Sequence, residues 1–245
     1  MTVWNSQSDK NLNIQAGRGI AILMVAVFHF TFQWSGQYFY GRFVSNDFFK
    51  IFTLGVQLFF MISGYVIFKT IENTITLQRF LFKRMKRLIP ALCIIAPILF
   101  LIQKLVIVKN FPNLDLKDLL ISIFMINPTY LSYIFHAEFH FVTGVMWTLT
   151  YELTFYLLIG IIYYCISKKF VFEIFFVATN LFLIFNYAFL YYTNSIGKGF
   201  SNSQVAYPSL EYLLQQSGLL HLCWFAIGMW FYKYEGYRPN TYQLN

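Results

Sequence analysis

The sequence predicts an all-α fold: a polytopic transmembrane helical bundle with about six spans plus one re-entrant or interfacial segment. Three observations carry this expectation. The 245 residues are 58% hydrophobic and only 11% charged, less than half the roughly 25% charged share of a soluble domain. Several apolar stretches reach or approach the ~20 residues a helix needs to cross hydrocarbon. The cations behind the formal net charge of +8 gather in short segments between those stretches, as bilayer orientation requires. That placement argues for membrane lipid, and against nucleic acid, as the surrounding partner.

In chain order, spans are expected near residues 14–34, 49–70, 88–108, 144–166, 170–193 and 209–232. No small-residue cleavage site follows the first run, so it reads as a retained span, not a secretory signal. The segment RFLFKRMKR at 79–87 carries five cations and no acid; it reads as a cytoplasmic loop. A cytoplasmic N-terminus follows, with the 35–48 loop outside and the third span emerging near Lys109. DLLISIFMINPTYLSYIF, 118–135, has a short core before Pro128, and proline disrupts a helix interior. If this stretch does not cross, Lys168, Lys169, Lys233 and Arg238 all fall inside, which the charge bias favours. Residues 194–209 read as an external loop. With no repeat, low-complexity segment or soluble module, residues 1–245 read as one integral-membrane domain. Cys93, Cys165 and Cys223 lie apart in apolar stretches and read as packing residues.

The informative residues are the polar ones inside spans. In RGIAILMVAVFHF, Arg18 and His29 are eleven residues apart, which on a helix is about three turns and ~16 Å along one face. Ala21 and Val25 lie between them, giving a cation, a small-residue track and an imidazole in line. Such a face suits a long anionic ligand entering from the cytoplasm; snorkelling by Arg18 and an interhelical bond from His29 are the structural alternative. In MWTLTYELTFYLL, Glu152 stands among Trp147, Tyr151, Phe155 and Tyr156, where a carboxylate must be protonated, paired or cavity-facing. It could orient an imidazole or form a structural ion pair. Gly55, Ser63 and Gly64 in GVQLFFMISGYVI read as close helix packing, with Ser63 not a nucleophile. HAEFH spaces His136 and His140 by four but lacks the HExxH order, so no metal is expected. His221, Glu173 and Glu211 read as interfacial or packing residues.

Several of these segments, in this order, resemble acyltransferase family 3, the membrane-bound O-acyltransferases of surface glycans. The resemblance rests on Arg18, Ala21, Val25 and His29, then GVQLFFMISGY, then Arg84, Arg87 and Pro90 in RMKRLIP. It continues in WTLTYELTFY, with Trp147, Leu149, Glu152, Phe155 and Tyr156, and in FAIGMWFY, with Phe225, Gly228 and Tyr232. It implies an inner-membrane protein that moves an acyl group, commonly acetyl, from acyl-CoA to a hydroxyl of a polysaccharide or other glycoconjugate, including lipid-linked saccharides. The family's arginine and histidine fall on Arg18 and His29, and its basic RxxR segment on Arg84 and Arg87. Read this way, Arg18, Arg84 and Arg87 bind acyl-CoA, His29 is the general base and Glu152 assists it. Acyl-CoA is then a co-substrate, and no cofactor or metal is expected. Family members usually continue with further spans, so the chain is expected to be short at its C-terminus. Two other readings stay open: a transporter or flippase using the same buried charges as a pathway, and an inactive family member.

Overall fold

The computed structural model describes residues 6–30, 51–105, 113–196 and 221–235. These form helices and turns, with no strand among the described residues. The helices are α1 (Ser6–Phe28), α2 (Leu54–Glu72), α3 (Leu77–Leu105), α4 (Leu116–Ile123), α5 (Pro128–Phe135), α6 (Trp147–Ile161), α7 (Val171–Ile196) and α8 (Leu222–Glu235). Four segments are long and apolar enough to cross a membrane: Ile51–Glu72, Leu77–Leu105, Gly144–Ile166 and Val171–Phe189, with Leu12–Phe28 a shorter apolar helix. The fold is thus a helical membrane bundle. The expected 35–48 loop, Lys109, residues 197–220 and Arg238 lie outside the described residues.

The basic segment 79–87 departs from expectation, being the opening of α3 and not a loop. Thr76 starts the helix: its carbonyl accepts from Phe80 N–H at 3.0 Å and its hydroxyl from Arg79 N–H at 3.3 Å, which meets donors a helix start leaves unpaired. The 29 residues of α3 span about 43 Å, more than the hydrocarbon core, so the basic first turns extend beyond it. Further along, Ile94, Ile98, Leu101 and Leu105 are exposed, as expected for a face solvated by lipid. Cys93 and Cys165 are also exposed; the packing role expected of them does not hold, because they fall on outward faces.

Residues 118–135 break into two eight-residue helices, each only ~12 Å long and unable to cross alone. The break has a local cause. Met125 adopts φ 56°, Met125 N–H donates to Ser122 O and Ile126 N–H to Ile121 O, which together close α4 as a Schellman motif. Asn127 then caps α5, its side chain accepting from Thr129 N–H at 2.9 Å, with Pro128 in the first turn. Proline suits that position because its missing N–H would be unpaired there anyway. The left-handed Met125 is held from α6, whose Thr150 hydroxyl donates to its carbonyl at 3.0 Å.

A buried carboxylate of α4 fastens the segment that follows α5. Asp118 is fully buried and accepts from Asp115 N–H at 2.8 Å and His140 N–H at 2.9 Å. Ser122 accepts from Val142 N–H at 2.9 Å, and Gln103 Nε2 donates to Val142 O at 2.7 Å. Val142 joins Leu92, Ala96, Leu114, Met125 and Met146 in a hydrophobic core.

The chain falls into two compact units, Met1–Thr70 with Trp224–Asn245, and Ile71–Cys223. In the first, a Cβ on Gly17 would meet Ile62 Cδ1 at 3.1 Å, and one on Gly55 would meet Ala21 O and Met24 Cβ at 2.8 Å. From the first contact to the second the α1 residue rises from Gly17 to Ala21 and Met24 while the α2 residue falls from Ile62 to Gly55, so α1 and α2 run antiparallel. Between α2 and α8 the order is reversed. Phe60 stacks on Phe225, Met61 lies against Gly228, and Tyr65 and Phe68 meet Tyr232, so these two helices run parallel.

Candidate active site

The sequence-derived site residues fall into two sets, Arg18 and His29 in the first unit, and Arg84, Arg87 and Glu152 in the second.

In the first unit, α1 carries Arg18 and His29, and the turn at residues 29–30 opens to π geometry. His29 Nδ1 lies 2.8 Å from Val25 O. A carbonyl oxygen can only accept, so Nδ1 carries a proton; when the ring is neutral, the lone pair is on Nε2. Phe28 packs edge-on against the imidazole, centroids 5.6 Å apart. The imidazole is thereby oriented from its own helix, with the basic nitrogen directed away from the helix backbone.

The track between Arg18 and His29 is not open. Ala21 is fully buried, and the Gly55 backbone sits against Ala21 O, Met24 Cβ and Val25 Cγ2. Small residues here let two helices close on each other; the groove expected for a ligand arm is filled by α2. The same logic confirms the packing role of GVQLFFMISGYVI. A Cβ on Gly64 would lie 2.2 Å from Phe225 O, and Ser63 is fully buried.

In the second unit, α3 and α6 run antiparallel: Tyr164 donates to Thr74 O, Gly160 faces Leu77, and Tyr156 faces Phe80. This register brings Arg84 and Glu152 to one buried neighbourhood. Arg84 is 7% exposed, with Cζ 5.6 Å from the Phe80 ring centre and 5.8 Å from that of Tyr156. A guanidinium is attracted to aromatic faces and keeps its charge at any physiological pH. Glu152 is 5% exposed and accepts a short hydrogen bond from the Tyr156 hydroxyl, one helical turn on. Tyr156 therefore meets the Arg84 guanidinium with its ring and the Glu152 carboxyl with its hydroxyl.

Arg84 and Arg87, treated alike in the RxxR reading, are separated here. Arg84 is buried, whereas Arg87 is exposed, leaving its guanidinium open to an anion arriving from solution. His136 and His140 lie outside any helix; His136 ends α5 with φ 49°, and His140 faces Glu138 at 3.9 Å. Their spacing of four therefore does not stack them as on a helix. The i, i+4 spacing of Glu152 and Tyr156 was visible in the sequence. Phe80 beneath Arg84 carried no such signal, since its role depends on the pairing of α3 with α6.

The model of the acyltransferase 3 family, described as an acyltransferase domain, matches residues 11–244. No curated protein and no solved structure matches the chain. The match covers every span and every polar residue discussed above, and the chain accordingly belongs to acyltransferase family 3, a family of membrane acyltransferases.

Proposed function

We propose that this membrane acyltransferase transfers an acyl group, acetyl by preference, from acyl-CoA to a hydroxyl of a surface polysaccharide or other glycoconjugate. It acts in the inner membrane with its N-terminus cytoplasmic. The observation that carries the reading is the His29 Nδ1–H bond to Val25 O, which in the neutral ring puts the basic lone pair on Nε2. His29 Nε2 takes the acceptor hydroxyl proton as the oxygen attacks the thioester carbonyl carbon. The C–S bond breaks, and the proton passes from the imidazolium to the departing coenzyme A thiolate. The reaction needs no metal or redox group; acyl-CoA is a co-substrate.

Arg87, exposed on α3, pairs with donor phosphates, for which a guanidinium offers bidentate geometry. Arg18 supplies a second cation to the donor. Arg84 and Glu152 meet at Tyr156 as a buried set that fixes this part of the second unit, and Glu152 is the member assigned a catalytic role. The test uses full-length protein in nanodiscs and acetyl-CoA labelled in the acetyl group. Wild type should move base-labile label onto a glycan acceptor, and His29→Ala should insert normally and move none. Full transfer by His29→Ala would remove the base from the scheme; no transfer by wild type to any glycan would remove the acceptor class.

A further inference from the structure

A pocket of about 280 Å³ lies in the second unit, where the break between α4 and α5 meets the start of α6; its walls include Asn127, Thr129, Phe141, Trp147, Tyr151 and His221. This volume is near the lower edge of the roughly 300–1,000 Å³ usual for small-molecule sites, suited to one ring-sized occupant. The described lining residues are aromatic or neutral polar, with Pro128 beside them, and none of these described residues is an acid, lysine or arginine. Such walls suit a neutral ligand.

The aromatic walls form a contiguous platform. Trp147 and Tyr151, one turn apart on α6, have centroids 5.2 Å apart, and His221 lies 5.3 Å from Trp147 and 5.6 Å from Tyr151, tilted by 38° and 31°. Rings that lean on one another this way present an outer face; they do not box a void as a cage for a quaternary ammonium does. The same pocket is lined by two small polar groups. Asn127 uses its side-chain oxygen to cap α5, leaving the amide N–H₂ for a ligand, and the Thr129 hydroxyl makes no hydrogen bond among the described residues. An aromatic face with a few neutral donors and acceptors matches a pyranose ring, apolar on its C–H face and ringed by hydroxyls.

We propose that this pocket binds a neutral monosaccharide unit and is the subsite for the glycan acceptor. Only the word acceptor rests on the acyl-transfer reading; the saccharide assignment rests on the walls. The pocket is carried by the same helix as Glu152, which follows Tyr151 directly and stands about 7.5 Å along the axis from Trp147. The rigid frame described above supports it: the Schellman turn sets Asn127, and the Asp118 and Ser122 bonds to His140 N–H and Val142 N–H hold the wall residue Phe141 between them.

The experiment is saturation-transfer-difference NMR on full-length protein in nanodiscs with methyl glycosides of glucose, galactose, mannose, rhamnose and N-acetylglucosamine. At least one should receive saturation at its ring C–H protons. Trp147→Ala should weaken its binding about tenfold, the scale of one lost aromatic contact, while Trp147→Phe stays within about threefold because the face is kept. Acetyl-CoA binding and the thermal midpoint serve as folding controls, and Thr129→Val, a milder change, should also weaken binding. No saturation with any glycoside, undiminished binding in Trp147→Ala and Thr129→Val, or displacement of the glycoside by choline overturns the proposal. Label transfer without glycoside binding here sinks this pocket and spares the transfer chemistry; glycoside binding without label transfer does the reverse.

Discussion

Replacing Gly228 by alanine probes the closest helix contact in the first unit. A Cβ at that position would lie 1.8 Å from Met61 O, against 3.4 Å for ordinary contact, so α8 must withdraw from α2 by 1.6 Å. A gap of 0.5–1 Å already forfeits roughly a quarter to a half of a dispersion well, and the Phe60–Phe225 stack at 4.7 Å lies on the same seam. Overpacking costs about 1–3 kcal/mol and a loosened aromatic pair about 0.5–1.5 kcal/mol. The gain in helix propensity from glycine to alanine, about 1 kcal/mol, acts in the opposite direction. A net destabilisation of about 1–3 kcal/mol lowers the midpoint by roughly 2–12 °C, measured by thermal unfolding of full-length protein in one detergent. Gly64→Ala opens the same seam, so the double variant should cost little more than Gly228→Ala alone. A Gly228→Ala midpoint within about 1 °C of wild type, or additive losses in the double variant, would refute the packing argument.

Gly55→Ala displaces α1 at Ala21 and Met24, each 2.8 Å from the new Cβ, and so moves the face bearing Arg18 and His29. Label transfer should drop about tenfold in kcat, since small misplacements are costly at a reacting centre; wild-type kcat would count against that placement. Asp118→Asn puts an amide N–H₂ where one of two backbone N–H groups donates, at a cost of about 1–3 kcal/mol; an unchanged midpoint contradicts the assignment. Arg84→Ala removes a cation held between two rings and should lower the midpoint. Arg87→Ala should leave the midpoint alone and weaken acetyl-CoA binding, read by calorimetry; equal effects on both properties in the two variants would end the distinction drawn between them.

What the sequence made legible follows from how far each signal reaches along the chain. The span at 144–166 is found at those residues because apolar length is a local property. The interruption at Pro128 was also local, although proline sits in the first turn of α5 and the stop itself is made by Met125. Helix α3 was read too short because its cations resemble a loop, when they are the part of a helix longer than the membrane is thick. At the site, helical spacing aligned Arg18 with His29, and the sequence set Glu152 among aromatic residues that include Tyr156. It could not show that α2 fills the stretch between the first pair, or that Phe80 and His221 join the others, because those contacts depend on which helices become neighbours.

The parallel pairing of α2 with α8 bears on the order of biosynthesis. The backbone groove at Met61 and Gly64 receives its partner only after the whole of Ile71–Cys223 has been made, roughly 150 residues, or about 8–30 s of translation. During that interval α2 lacks the helix that covers Gly64, while the residues of the second unit are already translated. Helices that insert independently and associate afterwards tolerate such a delay. Nascent chains arrested before Leu222 should therefore contain a protected second unit beside an α2 still open to cross-linking at Gly64, closing only when α8 arrives.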